Sequence, residues 1–167
     1  MTSAPYLVEP LKPTDWESVR AIYLEGIATR NATFENDVPS WEKWDASHLP
    51  FARVVARTPS GVLGWGALTA VSDRCCYAGV AEASVYVGKD YRGQGVGEAL
   101  LWAVIDLSER QGVWTLQAGI FPENLGSLTL VRKCGFLEVG RRERLGQMDG
   151  VWRDVLLLER RSAVVGA

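Results

Sequence analysis

A chain of 167 residues, 47% hydrophobic and 23% charged, has the size and composition of one globular domain, which excludes wholesale disorder. Eighteen Lys and Arg against 20 Asp and Glu give a formal net charge of −2, and that mild acidity speaks against a binder of nucleic-acid phosphates. Seven Trp and 17 Gly point to aromatic walls and to places where backbone approaches something closely.

Tyr6 to Leu11 reads as a short strand. Thr14 to Glu17 has the spacing of a capping box behind Pro13. Val19, Ile22, Tyr23, Gly26 and Ile27 then follow the rhythm of an amphipathic helix. Residues 31–39 form a loop carrying Thr33 and Phe34, and Ser40 starts a second helix with Trp41 and Trp44 on one face. Ala52 to Arg57 and Val62 to Val71 are strands around the hairpin signal Pro59-Ser60-Gly61. Ala81 to Val87 is a further strand. Gly95 to Gln111 is a long helix with Val96, Ala99, Leu100, Ala103, Val104 and Leu107 inward and Gly112 as its stop. Trp114 to Phe121 is a strand. Asn124 caps a helix to about Cys134, ended by Gly135 with Phe136 packing back. The last two strands surround Asp149-Gly150, a type I′ signal. The order β-α-α-β-β-β-α-β-α-β-β predicts a single α/β domain over residues 1–167, one layer of about seven strands with helices on both faces.

Three Cys and the sole His, His48, give no workable zinc spacing, so no metal is expected. Cys75 and Cys76 are adjacent, no base stands near them in sequence, and the odd count fits a reducing compartment. Met1 to Pro10 have neither the basic nor the apolar segment of a signal peptide, and no apolar run has the length of a membrane helix. A cytoplasmic protein with no membrane or nucleic-acid partner is the expectation.

The informative segment runs from Ala81 to Gly97. Ala81, Ala83, Val85 and Val87 share one strand face, small and apolar; Glu82, Ser84 and Tyr86 share the other and line a cavity. The following loop, Arg92-Gly93-Gln94-Gly95-Val96-Gly97, can aim several amides at one anion, aided by the helix N-terminus. The Walker phosphate loop is missing, and the glycine spacing is wrong for a dinucleotide fingerprint.

Arg92-x-x-Gly95-x-Gly97, after a strand and at the head of a helix, resembles the acetyl-CoA motif of the GCN5-related N-acetyltransferases. Asn124-Leu-Gly-Ser127 followed by Lys133-Cys-Gly-Phe136 is similar to that family's element after its fifth strand. Glu82-Ala-Ser-Val-Tyr-Val87, Asn31-Ala-Thr-Phe-Glu35 and Gly150-Val-Trp152-Arg-Asp154 resemble the phosphinothricin/amino-acid N-acetyltransferase subgroup. The resemblance implies an acetyltransferase fold, a mixed, mostly antiparallel sheet whose fourth and fifth strands splay around the pantetheine arm of acetyl-CoA. It implies main-chain contacts to that arm at Val85, Tyr86 and Val87. The amides of Arg92, Gly93, Gln94, Gly95, Val96, Gly97 and Glu98 are implied to hold the pyrophosphate, with Asn124, Ser127 and Lys133 nearby. Glu82 falls where the subgroup places its general base, and Phe34, Arg74 and Tyr86 fall around the acceptor. Where many members carry a Tyr or His to protonate the leaving thiolate, this chain has Val131, so the proton comes from water or another group such as Tyr86, or is not supplied.

The expected reaction is direct acetyl transfer to the amine of a small amino-acid-like acceptor in a ternary complex, by an enzyme the resemblance implies is a homodimer. Two alternatives stand beside it. One is an acetyltransferase for another amine class, such as a polyamine, aminoglycoside or protein N-terminus; the other is a non-catalytic acyl-CoA-binding domain on the same fold. Trp41, Trp44 and Trp152 lie on elements that border the acceptor site; Trp16, Trp65, Trp102 and Trp114 read as packing.

Overall fold

In the computed structural model, which describes residues 5–167, the strands are β1 (Leu7–Pro10), β2 (Val54–Thr58), β3 (Gly61–Ala70), β4 (Val80–Val87), β5 (Thr115–Ile120), β6 (Leu137–Met148) and β7 (Val151–Arg161). They form one seven-stranded sheet in the order β1-β2-β3-β4-β5-β7-β6. Every neighbouring pair is antiparallel except β4 and β5, which run parallel. The helices are α1 (Trp16–Ala28), α2 (Trp41–Ser47), α3 (Val96–Arg110) and α4 (Leu125–Lys133). The mixed sheet and the element order are those the sequence pattern predicts. No helix is long and apolar enough to cross a membrane among the described residues.

Strand alternation sorts the core into two layers. Ala81, Ala83, Val85 and Val87 join the core beneath α3 with Val96, Leu100 and Val104. Tyr86 points to the opposite face, where Val19 and Ile22 of α1 pack with Trp44, Val55, Trp65 and Ala67. Leu100 and Val104 are fully buried, each contributing about 1.5–3 kcal/mol by removal from water. Trp44 and Trp65 meet edge-on at 5.6 Å.

Two expectations are corrected. The first helix begins at Trp16, behind a 3-10 turn over Pro13–Asp15, and the reciprocal cap closes that turn: Asp15 Oδ2 accepts from the Lys12 amide at 2.9 Å. Thr14 and Glu17 do not form it, because the buried Asp15 is also held by the Arg57 guanidinium at 2.6 Å. That ion pair on β2 fixes where the chain enters the helix. Trp102 is the second correction: it is 43% exposed on α3 and lies under the Arg160 guanidinium at 5.8 Å, outside the core. The last hairpin turns as predicted, with Met148 opposite Val151 and positive φ at Asp149 and Gly150.

Candidate active site

The parallel pairing of β4 and β5 stops after three residue pairs, the last being Glu82 with Gln117. Beyond it β5 stays with β7 as far as Ile120 opposite Leu156, and β4 stays with β3 as far as Val87 opposite Gly64. The two strands therefore diverge, and the β4 edge from Ala83 to Val87 faces a gap. Unpaired strand-edge groups of this kind are ready partners for an extended ligand. At the apex of the fork, Gln117 Nε2 donates to Glu82 Oε2 at 2.9 Å. One cleft of about 1690 Å³ runs through the gap.

At one end of the cleft, a turn at Lys89–Tyr91 leads from β4 to α3. Gly93 and Gly95 have φ of +73° and +82°, a left-handed conformation that costs glycine little. In the first turn of α3, Ala99 N donates to Gly95 O at 3.1 Å. Among the described residues, no backbone carbonyl engages the amides of residues 93–98. A Cβ placed at Gly93 would meet nothing within 4 Å, and one at Gly95 would meet only the Tyr6 hydroxyl, at 4.0 Å. The result is an open concavity of free N–H groups at a helix N-terminus, a geometry suited to an anion. Arg92 Nε donates to Val87 O at 3.2 Å, and Gln94 Nε2 donates to Asp90 O at 3.0 Å, so both side chains brace the loop. Lys133 Nζ pairs with Glu98 Oε2 at 2.6 Å across α4 and α3, and that carboxylate raises the proton affinity of the amine.

At the other end, the loop after α1 brings Thr33, Phe34 and Glu35 to the wall beside Tyr23 and Tyr86. Phe34 stands edge-on to Phe121 at 4.9 Å. Tyr86 stacks on Trp65 at 4.9 Å and meets Tyr23 at 4.8 Å. Its hydroxyl holds its proton far more tightly than an ordinary tyrosine, chiefly because it is buried, with Tyr23, Glu35 and Glu82 adding to the effect. His48, stacked on Trp44 at 4.0 Å on the same wall, has its proton affinity lowered by burial.

The acetyltransferase (GNAT) family profile matches residues 16–136 of the chain. The protein belongs to this acetyltransferase family. It is 32% identical over 162 residues to a phosphinothricin N-acetyltransferase of Alcaligenes faecalis, covering 92% of this chain and 81% of that protein. It is 30% identical over 151 residues to an L-methionine sulfoximine/L-methionine sulfone acetyltransferase of Pseudomonas paraeruginosa, covering 87% of this chain and 88% of that one. A GNAT superfamily phosphinothricin acetyltransferase from Sinorhizobium meliloti, solved in complex with AcCoA, superposes with a TM-score of 0.87 at 25% identity, covering 98% of this chain and 91% of that chain.

In this acetyltransferase, Glu82, Val85, Tyr86, Val87, Arg92, Gly93, Gly95, Gly97, Glu98, Asn124, Ser127, Lys133 and Phe34 all line the one cleft. The side chain of Val96 is core, and that of Gln94 serves the loop. Asn124 uses its whole amide inside the chain: Oδ1 accepts from Ser127 N at 3.2 Å, and Nδ2 donates to Asn31 O at 3.0 Å. Val131 is buried on the cleft wall and offers no donor. Arg74 lies outside the lining, over the Tyr77 ring at 5.4 Å, and Trp152 is 58% exposed, also outside it. Of the tryptophans, Trp44 reaches the wall.

Lys43, His48, Gln117 and Arg142 line the cleft without having been singled out from the sequence. Gln117 had a signal, a polar residue between Leu116 and Ala118 on an otherwise apolar strand. Lys43 and Arg142 had none, since each looks like an exposed surface cation. Cys75 and Cys76 are exposed free thiols; Cys134 is buried, which pushes its thiol up to about 11. No cluster of three metal-ligating side chains occurs among the described residues.

Proposed function

We propose that the protein transfers acetyl from acetyl-CoA to the amine of a small amino-acid-like acceptor, of the phosphinothricin or methionine sulfoximine kind. The observation carrying this reading is Glu82, hydrogen-bonded by Gln117 at the apex of the strand fork, in the same cleft as the free-amide concavity of residues 93–98. The concavity suits a pyrophosphate, and the open β4 edge from Ala83 to Val87 suits a pantetheine arm, whose amides pair as a strand would. When bound, acetyl-CoA supplies an acyl group activated as a thioester.

An ammonium has no lone pair to attack with, so the acceptor must first lose a proton. Glu82 takes it, directly or through one water. Gln117 keeps the carboxylate aimed at the fork and leaves its other oxygen free. Tyr86 is poorly suited to protonate the departing thiolate. Burial keeps its hydroxyl a weaker acid than usual, whereas a thiol of pKa about 8.5 leaves readily without help. Water supplies that proton, which makes Val131 tolerable.

The acceptor end carries both signs of charge, Glu35 and Asp37 with Lys43 and Arg142, which fits a zwitterionic amino acid better than a polycation. Carboxylate recognition in this reading falls to Lys43 and Arg142, with Arg74 outside the wall. The protein works in the cytoplasm as a homodimer of this chain. The β6 edge is the surface offered to a second copy, with Leu137 75% and Val139 55% exposed.

A thiol-release assay with acetyl-CoA and a panel of amino acids, amino-acid sulfoximines, polyamines and aminoglycosides tests the reading. Turnover confined to the amino-acid-like compounds is expected. Turnover on polyamines alone, or on nothing, would overturn it.

A further inference from the structure

We propose that one rung of the last hairpin, Gly146 on β6 with Arg153 on β7, sets the reach of the acceptor pocket by fixing Phe34. The inference rests on the reading that the Phe34 end of the cleft receives the acceptor. Gly146 and Arg153 are ladder partners, directly after a register shift of β6 between Arg142 and Gly146. Shifts of this kind re-aim a strand beside a site.

Gly146 is where the Phe34 ring rests. A Cβ at Gly146 would stand 2.7 Å from Phe34 Cζ, 2.8 Å from Cε1 and 3.2 Å from Cε2. Ordinary contact starts at 3.4 Å, so an added methyl must displace the ring tip by at least 0.7 Å (3.4 − 2.7). Phe121 blocks one side of the ring, edge-on at 4.9 Å. Met148 and Val155 pack against the ring as well, and it borders the cleft, into which it can move. A bare glycine therefore holds the ring back and keeps pocket volume free.

Arg153 holds the chain that carries the ring. Its guanidinium donates to Arg30 O at 3.0 Å, Asn31 Oδ1 at 3.2 Å and Glu123 Oε2 at 3.3 Å. It also lies over Phe121 at 4.1 Å, behind the ring that Phe34 meets. Asn124 adds a third tie to that loop, at Asn31 O. The loop backbone and the ring are thus fixed by the same rung, and Gly146 and Arg153 are positioning residues that act through Phe34.

The test compares Gly146→Ala, Arg153→Ala, Arg153→Lys and Phe34→Leu, with Gly146→Ala also made in the Phe34→Leu background. Gly146→Ala should raise the KM of the bulkiest accepted amine about tenfold relative to the smallest. The KM for acetyl-CoA should stay within about twofold of wild type. In the Phe34→Leu background the discrimination should disappear, because the shorter side chain clears the methyl. Arg153→Ala should speed amide hydrogen exchange in residues 30–34 about tenfold or more, with partial recovery in Arg153→Lys. A Gly146→Ala effect that persists without Phe34, or that falls equally on acetyl-CoA, overturns the proposal. If the wild type acetylates no amine, the proposed function fails. The rung is then judged alone: unchanged exchange in Arg153→Ala, or an unmoved Phe34 ring in a crystal structure of Gly146→Ala, overturns it.

Discussion

Gly95 separates backbone strain from ligand binding in a single position. It caps α3 with φ of +82°, and a Cβ there would meet only the Tyr6 hydroxyl at 4.0 Å. The cost of Gly95→Ala in the free protein is therefore almost purely conformational, about 1–2 kcal/mol for an L residue in the left-handed region. For a chain of this size each kcal/mol moves Tm by about 2–4 °C, so a drop of about 5 °C is expected. Gly95→Asn tolerates the same φ and should recover much of that loss. Both variants put side-chain atoms where the concavity of residues 93–98 is open. Thermal melts with and without acetyl-CoA read the two effects apart. At a hundredfold excess over Kd the wild type should gain about 2.7 kcal/mol of stability. Gly95→Asn should melt close to wild type alone, yet show at least about a tenfold weaker acetyl-CoA Kd. A Gly95→Asn protein with the full ligand-induced gain would refute the anion cradle.

Other perturbations follow from the same contacts. Asn124→Ala removes the cap to Ser127 N and the tie to Asn31 O, and should cost about 1–2 kcal/mol in urea unfolding; a loss near zero would contradict both roles. The proton affinity of His48 is lowered by burial in the folded chain, so the unfolded chain takes the proton first. Stability should be full above about pH 6.5, fall as the pH drops through that value, and level off below the folded pKa. Urea midpoints at about pH 7.5 and about pH 5.5 should diverge less in His48→Gln than in wild type; equal divergence would remove His48 as the cause. Light scattering should find a dimer in wild type and a monomer in Leu137→Lys/Val139→Lys; a monomeric wild type would dismiss the β6 interface.

Local rules reached far into this fold. The alternation of Ala83, Val85 and Val87 against Glu82 and Tyr86 sorted the two faces of β4. Asn124 announced its helix, and Asp149-Gly150 announced its turn. The Arg92–Gly97 segment was legible as a loop of free amides because glycine spacing and a helix start lie next to each other in sequence. What escaped depends on contacts between distant segments. The point where β4 and β5 part is set by β7 retaining β5, which no local pattern contains. Asp15, not Thr14, closes the turn that leads into α1, and Arg57, 42 residues on, holds it there. Arg74 looked suited to a carboxylate, yet its loop turns it onto Tyr77, while Lys43 and Arg142 reach the cleft from α2 and from β6 beside its register shift. Trp102 read as packing by residue type alone, although the helix rhythm left it off the inward face, and it is 43% exposed beneath Arg160.

The central claim is that Glu82 deprotonates the acceptor at the strand fork. Glu82→Gln keeps the size of the side chain and an oxygen to accept from Gln117 Nε2, so fold and acetyl-CoA affinity should be preserved. The decisive measurement is kcat/KM across pH for wild type and Glu82→Gln, with the best acceptor of the panel. A fall of about 10²- to 10⁴-fold, with loss of the limb that reports the base, is the expected result. Full kcat/KM at every pH, with acetyl-CoA bound as tightly as before, would contradict the account.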